Sequence, residues 1–205
     1  MILWSIVVAA GSGERFGDRK QYQMIGGRRM LDWSLAAASA VSDGVVVVVP
    51  AGRAADVEPA ASAVVAGGDS RSASVRAGLD AVPTDATHVV VHDAARPVPH
   101  PDVWRAVLDA LASGADAVVP VVPVADTLRE VNGPTVDRSR FVAVQTPQGF
   151  RIDVIRRAHA AGVEGTDDAS LAEAIGATVT CVPGAASNIK VTTAADLILA
   201  EALCR

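Results

Sequence analysis

A glycine-rich loop with several basic side chains follows the first apolar run of the chain. Residues 9–20 have the sequence AAGSGERFGDRK, which includes Gly13, Arg15 and Lys20. Loops of this kind bind phosphate, because bare backbone approaches the anion and its N–H groups converge. The GxGxxxG spacing differs from the GxGxxG dinucleotide loop and from the GxxxxGKS or GxxxxGKT P-loop. These residues alone leave two interpretations open: a phosphate-binding loop, or a solvated glycine turn.

An aspartate follows the fourth apolar run, in the segment HDAARP at 92–97. Ligands of open α/β sheets bind beyond the carboxyl ends of the strands, so Asp93 would face the same edge as the glycine loop. A carboxylate there can hold Mg²⁺, which prefers oxygen ligands. The alternative is that Asp93 caps a turn and pairs with Arg96. The neighbouring glycine loop favours the metal interpretation.

Three further segments combine structural and chemical signals. The sequence GGDSRS at 67–72 is typical of a helix start, and it also offers N–H groups and hydroxyls to a base or sugar. The sequence TDDAS at 166–170 is typical of a helix N-cap with acidic residues in the first turn. Lys190 lies in a short predicted strand at 189–191, where a lysine is usually an edge residue.

The apolar pattern predicts the elements that position these segments. Continuous apolar runs are typical of strands buried on both faces of a parallel sheet, and helical patterns lie between them. This alternation predicts an α/β fold, a Rossmann-like three-layer sandwich with a mostly parallel central sheet. The predicted strands are 3–9, 45–49, 62–66, 88–91 and 117–122, and the predicted helices between them are 30–40, 72–82 and 101–112.

Residues 121–144 break this alternation and predict a β-arm. Short strand patterns at 121–127, 135–136 and 141–144 surround the turn sequence Asn132-Gly133-Pro134. After the arm we expect helices at 153–161, 169–175 and 194–203, and strands at 178–182 and 189–191. We expect residues 1–205 to form one domain with this excursion.

Composition excludes several classes of protein. A chain of 205 residues with 50% apolar and 20% charged residues is not disordered, and no apolar run reaches the roughly 18 residues of a membrane span. The net charge of −5 argues against a nucleic-acid partner. With these classes excluded, we expect a cytoplasmic protein. The chain has no GxSxG elbow and no cysteine with an activating signal, so the nucleophile should come from the substrate.

Basic residues are distributed unevenly. The chain uses arginine sixteen times and lysine twice, at Lys20 and Lys190. If coding bias replaced the dispensable lysines, the two that remain are those whose compact point charge matters.

The motifs occur in one order along nearly the whole chain, and together they resemble the 2-C-methyl-D-erythritol 4-phosphate cytidylyltransferase family. The chain departs from the family pattern at Val8, Arg19 and Ser187. The matching motifs are AAGxGxR at 9–15, KQY at 20–22, GGDxRxxSV at 67–75, HDAARP at 92–97, DT at 126–127, TVDR at 135–138, QTPQ at 145–148, TDDAS at 166–170 and NIKVT at 188–192.

The resemblance implies a fold of the nucleotide-diphospho-sugar transferase type and a homodimer formed through the β-arm. It implies an enzyme that joins CTP to methylerythritol phosphate with Mg²⁺ and releases pyrophosphate, without a nucleic-acid or membrane partner. A ribitol 5-phosphate cytidylyltransferase on the same scaffold is the near alternative. A non-catalytic nucleotide-binding module is a more distant one. A Rossmann dehydrogenase is disfavoured by the glycine spacing and by the lack of an acidic residue after the second strand.

The resemblance also implies roles for individual residues. Catalysis would depend on Arg15, Lys20, Arg138 and Lys190. Nucleotide binding would involve Ala9, Ala10, Gly11, Gly13, Gly68, Asp69, Ser74, Asp93 and Ala94, with Asp93 also at the metal. The second substrate would contact Arg96, Thr127, Arg138, Thr146, Thr166 and Lys190, with Thr127 and Arg138 reaching across from the partner's arm.

Overall fold

A twisted sheet flanked by helices organises the chain. The computed structural model describes residues 1–11, 20–54, 58–98, 100–160 and 162–204. In chain order the elements are β1 (Leu3–Val8), β2 (Met24–Ile25), β3 (Arg28–Arg29), α1 (Met30–Ser39), β4 (Gly44–Val49), β5 (Ala63–Ala66), α2 (Arg71–Asp80), β6 (His88–Asp93), α3 (Pro101–Ala112), β7 (Ala117–Pro123), β8 (Val142–Val144), β9 (Gln148–Arg151), α4 (Ile152–Ala160), α5 (Asp168–Ala174), β10 (Val179–Pro183) and α6 (Ala194–Leu203).

The main sheet is mostly parallel, as the apolar runs predict. Its strand order is β10-β7-β9-β6-β1-β4-β5, and β8 pairs with β7. β1 is parallel to both β4 and β6, and β10 is parallel to β7. Because β9 is antiparallel to both β6 and β7, it interrupts the parallel order at the centre of the sheet. The α/β fold class is therefore confirmed.

Two apolar layers lie on opposite faces of the sheet. One layer packs Val75 of α2, Ile155 of α4 and Leu171 of α5 against the strands. The other packs Leu35 of α1 and Trp104 of α3 against them. All six residues of β4 are buried, as expected for a strand covered on both faces. The predicted three-layer arrangement is confirmed.

Local signals set several helix ends correctly. Pro101 opens α3, and Gly114, with φ of +96°, follows its end. Ser70 caps α2 by accepting a hydrogen bond from the N–H of Ala73. Asp167 caps α5 in the same way through the N–H of Ser170.

Three predicted strands were wrong, and three short strands were not predicted. The sequence pattern did not predict β9 or the small β2–β3 hairpin. Residues 189–191 form no strand, and the N–H of Val191 donates instead to Ala95 O, in the segment that follows β6. The strand expected at 121–127 ends at Pro123, and residues 135–136 contribute one isolated bridge, between Arg129 and Thr135.

The arm between β7 and β8 has little core of its own. Asn132 takes a positive φ of 63° at its turn, a conformation that asparagine tolerates. Val131 is 92% exposed, and Phe141 at the base of the arm is 47% exposed. The arm therefore presents exposed apolar side chains at the surface of the molecule. Within the described ranges, no helix has the length and apolarity needed to cross a bilayer.

Candidate active site

Loops at the carboxyl ends of β1, β5 and β6 come together at one edge of the sheet. The N–H of Ala9 donates to Val48 O, and the N–H of Ala94 donates to Val8 O. A Cβ built on Gly67 would lie 2.3 Å from the Cβ of Ala10 and 2.8 Å from the Oγ of Ser74. Only glycine permits this approach, so the glycine pair brings the β5 loop against the β1 loop.

Most of the predicted nucleotide residues lie at this edge. Ala9, Ala94 and Ser74 are buried, and the Oγ of Ser74 donates to Ser70 O at 2.9 Å. Gly11, Gly68 and Asp69 are exposed there, and Ala10 is half-buried. The buried amide of Gln21 donates to Ala9 O at 2.8 Å, which ties the following segment to the β1 loop. Gly13 and Arg15 lie outside the described residues.

The two lysines meet at one segment, residues 188–191, which contains Lys190 and which Lys20 contacts. The Nζ of Lys20 donates to Val191 O at 2.7 Å, and Lys190 is the preceding residue of that segment. The same segment accepts the Nη1 of Arg96 at Asn188 O, also at 2.7 Å. Three cationic side chains that are distant in sequence are thus gathered around residues 188–191.

A pocket of about 290 Å³ lies beside this segment. It contains four residues predicted for the second substrate and the predicted metal ligand Asp93, together with five residues that the prediction omitted. Its lining residues are Arg71, Asp93, Arg96, Val144, Gln145, Thr146, Gln148, Thr166, Asp167 and Lys190.

Asp93 is held between two cations. Its Oδ2 accepts from the Nζ of Lys190 at 2.7 Å, and its Oδ1 accepts from the Nε of Arg71 at 3.2 Å. Burial would raise the pKa of this carboxyl, but Arg71 and Lys190 lower it well below its usual value. The alternative pairing of Asp93 with Arg96 was wrong, because the Arg96 guanidinium donates to main-chain oxygens of Asn188 and Val144.

A hydrogen-bond relay beneath the pocket uses the hydroxyl of Thr146. The N–H of Asp93 donates to its Oγ1, which lies 3.1 Å from the Nδ1 of His92. The Nε2 of His92 lies 3.1 Å from Arg96 O. Burial lowers the pKa of His92 to about 4, so the ring is neutral, donates through Nε2 and accepts from Thr146. Thr146 therefore has one lone pair left for a ligand.

The TDDAS segment closes the other side of the pocket. Thr166 is exposed at the rim, and the Oδ2 of Asp167 accepts from the Nε2 of Gln148 at 2.9 Å. The carboxylate of Asp168 is fully buried and lies 2.9 Å from the Nη2 of Arg71, although the pair is not aligned as a hydrogen bond. The structural role expected for both aspartates is confirmed, because Asp167 caps α5 and Asp168 is the acidic residue of its first turn, but Asp168 also contacts Arg71.

Two predicted residues do not join the pocket of their own subunit. Arg138 is exposed in the arm, and its Nη1 donates to Ala125 O. Thr127 is exposed in the same arm. Thr127 and Arg138 therefore do not line the pocket of the same chain.

The described residues do not form a metal site of their own. No three of their histidine, cysteine, aspartate and glutamate side chains cluster in a way that could hold an ion. Asp93 is the one predicted ligand, and each of its oxygens already contacts a cationic group. Mg²⁺ commonly takes one or two carboxylates and completes its shell with phosphate oxygens and water. The described part of the chain offers one carboxylate, Asp93, so a metal here would take its other ligands from substrate phosphates and water.

Arg71 is the most central residue that the residue-by-residue prediction omitted. Its guanidinium contacts both Asp93 and Asp168, and its Nη1 is buried without a hydrogen-bond partner among the described residues. The signal was present, because Arg71 belongs to the GGDxR motif, but it was interpreted as part of a helix start. Gln145 and Gln148 were likewise inside a recognised motif.

Comparison with known proteins identifies the family. The family model for 2-C-methyl-D-erythritol 4-phosphate cytidylyltransferase matches residues 3–205. A protein of that name from Frankia casuarinae is 46% identical, over 97% of this chain and 80% of its own. One from Saccharopolyspora erythraea is 45% identical, over 99% of both chains. The crystal structure of the Thermus thermophilus protein of that name is 40% identical with a TM-score of 0.84, and covers 98% of both chains. The chain belongs to the 2-C-methyl-D-erythritol 4-phosphate cytidylyltransferase family.

Proposed function

We propose that this protein joins CTP and 2-C-methyl-D-erythritol 4-phosphate to give 4-diphosphocytidyl-2-C-methyl-D-erythritol and pyrophosphate. The observation that carries the proposal is a pocket lined by Arg71, Arg96 and Lys190 next to a glycine-rich strand edge. Family membership supports the same substrates.

The glycine-rich edge would take the nucleotide. The backbone of residues 9–11 and Gly68 lies open to a ligand or just beneath the surface, where it can meet a base and a ribose. Asp69 and Ser74 border this surface from the β5 loop and α2. Gly13 and Arg15, with Lys20, would meet the triphosphate as the family roles imply.

The cationic pocket would take the polyol phosphate. Lys190 and Arg96 carry the positive charge that a phosphate needs, and Arg71 has a buried N–H with no partner among the described residues. Thr166 at the rim and the remaining lone pair of Thr146 suit the hydroxyl groups of the polyol. Asp93 would hold Lys190 in place and lie close to the ribose.

The reaction is then a nucleotidyl transfer between two anions. An oxygen of the substrate phosphate forms a bond to the α-phosphorus of CTP, and the bond to the β-phosphate oxygen breaks. Pyrophosphate leaves with that electron pair. The attacking phosphate is largely ionised near pH 7, so no general base is required. Positioning and positive charge then provide the catalysis, through Arg15, Lys20 and Lys190.

Mg²⁺ is the metal that we propose for this reaction. When bound, it neutralises charge on the triphosphate. Asp93 is the candidate protein ligand, and its present partners are cations. The phosphates of CTP would therefore supply most of the coordination.

The active enzyme would be a homodimer formed through the arm. Arg138 and Thr127 are exposed and lie away from the pocket of their own subunit. The exposed apolar side chains of Val131 and Phe141 give the arm a surface to bury. Each arm would then bring Arg138 and Thr127 to the pocket of the other subunit. The use of CTP implies a cytoplasmic enzyme.

Coupled pyrophosphate detection tests the function directly. We expect release from CTP that requires both methylerythritol phosphate and a divalent cation, with UTP and ATP as poor replacements. Ribitol 5-phosphate is the comparison substrate, and a higher kcat/KM with it would favour a pentitol-phosphate cytidylyltransferase. CTP binding without turnover of any polyol phosphate would instead favour a nucleotide-binding module.

A further inference from the structure

A buried histidine and aspartate lie directly behind the pocket, and the proposed reaction uses neither. The Nε2 of His159 on α4 lies 3.0 Å from the Oδ1 of Asp168 on α5. The side chains are 3% and 0% exposed. They form a polar pair beside apolar side chains of the same layer, such as Ile155 and Leu171.

The pair continues to the pocket through contacts between charged groups. The Oδ2 of Asp168 lies 2.9 Å from Arg71, the Nε of Arg71 donates to Asp93 at 3.2 Å, and Asp93 accepts from Lys190 at 2.7 Å. The two ends of this chain of contacts differ in exposure, since the side chain of His159 is 3% exposed and that of Lys190 is 41% exposed. The last two cationic groups, Arg71 and Lys190, line the pocket.

Helix capping does not account for Asp168. The neighbouring Asp167 caps α5, through the N–H of Ser170. Packing does not account for the pair either, because a charged carboxylate buried in an apolar layer is a weak source of stability. The pair instead fixes the orientation of the Asp168 carboxylate, because its Oδ1 faces His159 and its Oδ2 faces Arg71.

The state of His159 follows from its second nitrogen. The Nδ1 atom is buried and has no hydrogen-bond partner among the described residues. A proton there would be a buried donor without an acceptor, which costs free energy. We therefore assign the donor role to Nε2, which donates to Asp168.

We propose that His159 and Asp168 are positioning residues that hold Arg71, and through Asp93 the amino group of Lys190, in the geometry that binds the polyol phosphate. This proposal rests on the proposed function. Arg71 lies between two carboxylates, so losing the pull of one carboxylate displaces the guanidinium toward the other. The glycine-rich sheet edge at residues 9–11, where we propose that the nucleotide binds, is held by the hydrogen bond from Gln21 to Ala9 O. It is not part of this chain of contacts.

The test compares His159→Phe with His159→Gln. Phenylalanine keeps an aromatic ring without the donor, and glutamine restores a donor near the Nε2 position. We expect His159→Phe to raise KM for the polyol phosphate about tenfold, as for an unpaired buried group, with KM for CTP within about twofold of wild type. We expect His159→Gln to recover most of that change. Ile155→Val, on the same helix, controls for lost packing and should leave both KM values unchanged.

Asp168→Asn provides a second variant of nearly the same shape if His159→Phe does not fold. It keeps an acceptor for His159 and removes the charge that holds Arg71, so KM for the polyol phosphate should again rise about tenfold. A structural defect alone would lower the melting temperature and the active fraction without separating the two KM values. Unchanged KM for the polyol phosphate in a folded variant, an equal rise in both KM values, or no recovery with glutamine would overturn the proposal.

Titration calorimetry with the polyol phosphate keeps this proposal separate from the proposed function. Wild-type protein without turnover would contradict the function, whereas the dissociation constants of the variants decide the positioning role. An increase of about tenfold in the polyol phosphate Kd for His159→Phe supports the role, and an unchanged Kd overturns it.

Discussion

The pocket and the arm contain charged residues of the same kinds but hold them in opposite ways. In the pocket, Lys190 is anchored on Asp93 at 2.7 Å, and Arg71 lies between two carboxylates. In the arm, Arg138 is exposed and contacts a main-chain oxygen of the same arm. The pocket is therefore organised within one subunit, whereas the arm has too little core to organise itself. This difference is what a partner subunit would remove.

The largest expected effect is on the anchored lysines. We expect Lys190→Arg to lower kcat/KM between about a hundredfold and a thousandfold, because the planar guanidinium does not reproduce a compact charge held 2.7 Å from Asp93. Lys20→Arg should have a similar effect, since its amino group donates to Val191 O at the same distance. Steady-state kinetics with both substrates measures the change.

Arg157→Lys on α4 is the matched control, because Arg157 is exposed and lies outside the pocket. It exchanges the same two residue types and should leave kcat/KM within about twofold. If Lys190→Arg behaves like this control, the anchoring of the pocket is unimportant for activity.

The second effect concerns the free energy of unfolding of the protein at low pH, which depends on His92 beneath the pocket. The pKa of His92 is lowered from 6.5 in the unfolded chain to about 4 by burial. The unfolded state then binds more protons between these values, so stability falls as the pH falls from about 6.5 to about 4. The loss attributable to this ring is about 3 kcal/mol, and urea unfolding at stepped pH measures it.

His92→Gln isolates that contribution. Glutamine keeps a donor for Arg96 O and does not titrate, so the slope of stability against pH should flatten in the same range. His88 also titrates with a lowered pKa and is common to both proteins, so it cancels in the comparison. Parallel slopes for the two proteins would show that His92 is not held neutral by the fold.

A smaller effect is expected at the base of the arm. Phe141→Asp places a charge on apolar surface that we propose to be buried between subunits, so the dimer dissociation constant should rise at least about tenfold. Activity per subunit should fall with dilution, and sedimentation velocity measures the association. Val163→Asp, on a residue that is 54% exposed outside the arm, should leave the association unchanged. Equal association of both variants with wild type would contradict the arm as the interface.

The smallest effect is expected at the tip of the arm. Asn132→Ala replaces a residue at φ of 63° with one that disfavours it, which costs about 1 kcal/mol locally. Because the arm contributes little core, the melting temperature of the subunit should change by only a few degrees. Asn132→Gly should be close to wild type. A large loss of stability would mean that the arm is as well supported as the pocket.

Much of the fold could be predicted because its signals are local. The apolar runs of β1 and β4 indicate buried parallel strands, and Pro101 with Gly114 brackets α3. β9 could not be predicted in this way, since the strand has only four residues, and they mix polar, charged and apolar side chains. Its place between β6 and β7 depends on pairings with residues 88–91 and 117–118, which no local pattern encodes.

The candidate site divides along the same line. The sequence by itself determined the family and the loops at the sheet edge. It also predicted five of the ten residues that line the pocket, namely Asp93, Arg96, Thr146, Thr166 and Lys190. These residues lie in contiguous motifs, where residue type and spacing carry the information.

Only the tertiary structure decided which charges meet. Asp93 pairs with Lys190, 97 positions away, and not with its neighbour Arg96. Arg71 spans two carboxylates, and His159 lies behind one of them, from a helix that carries no recognised motif. Ion pairs depend on distance and burial in three dimensions, and separation along the chain sets neither of them.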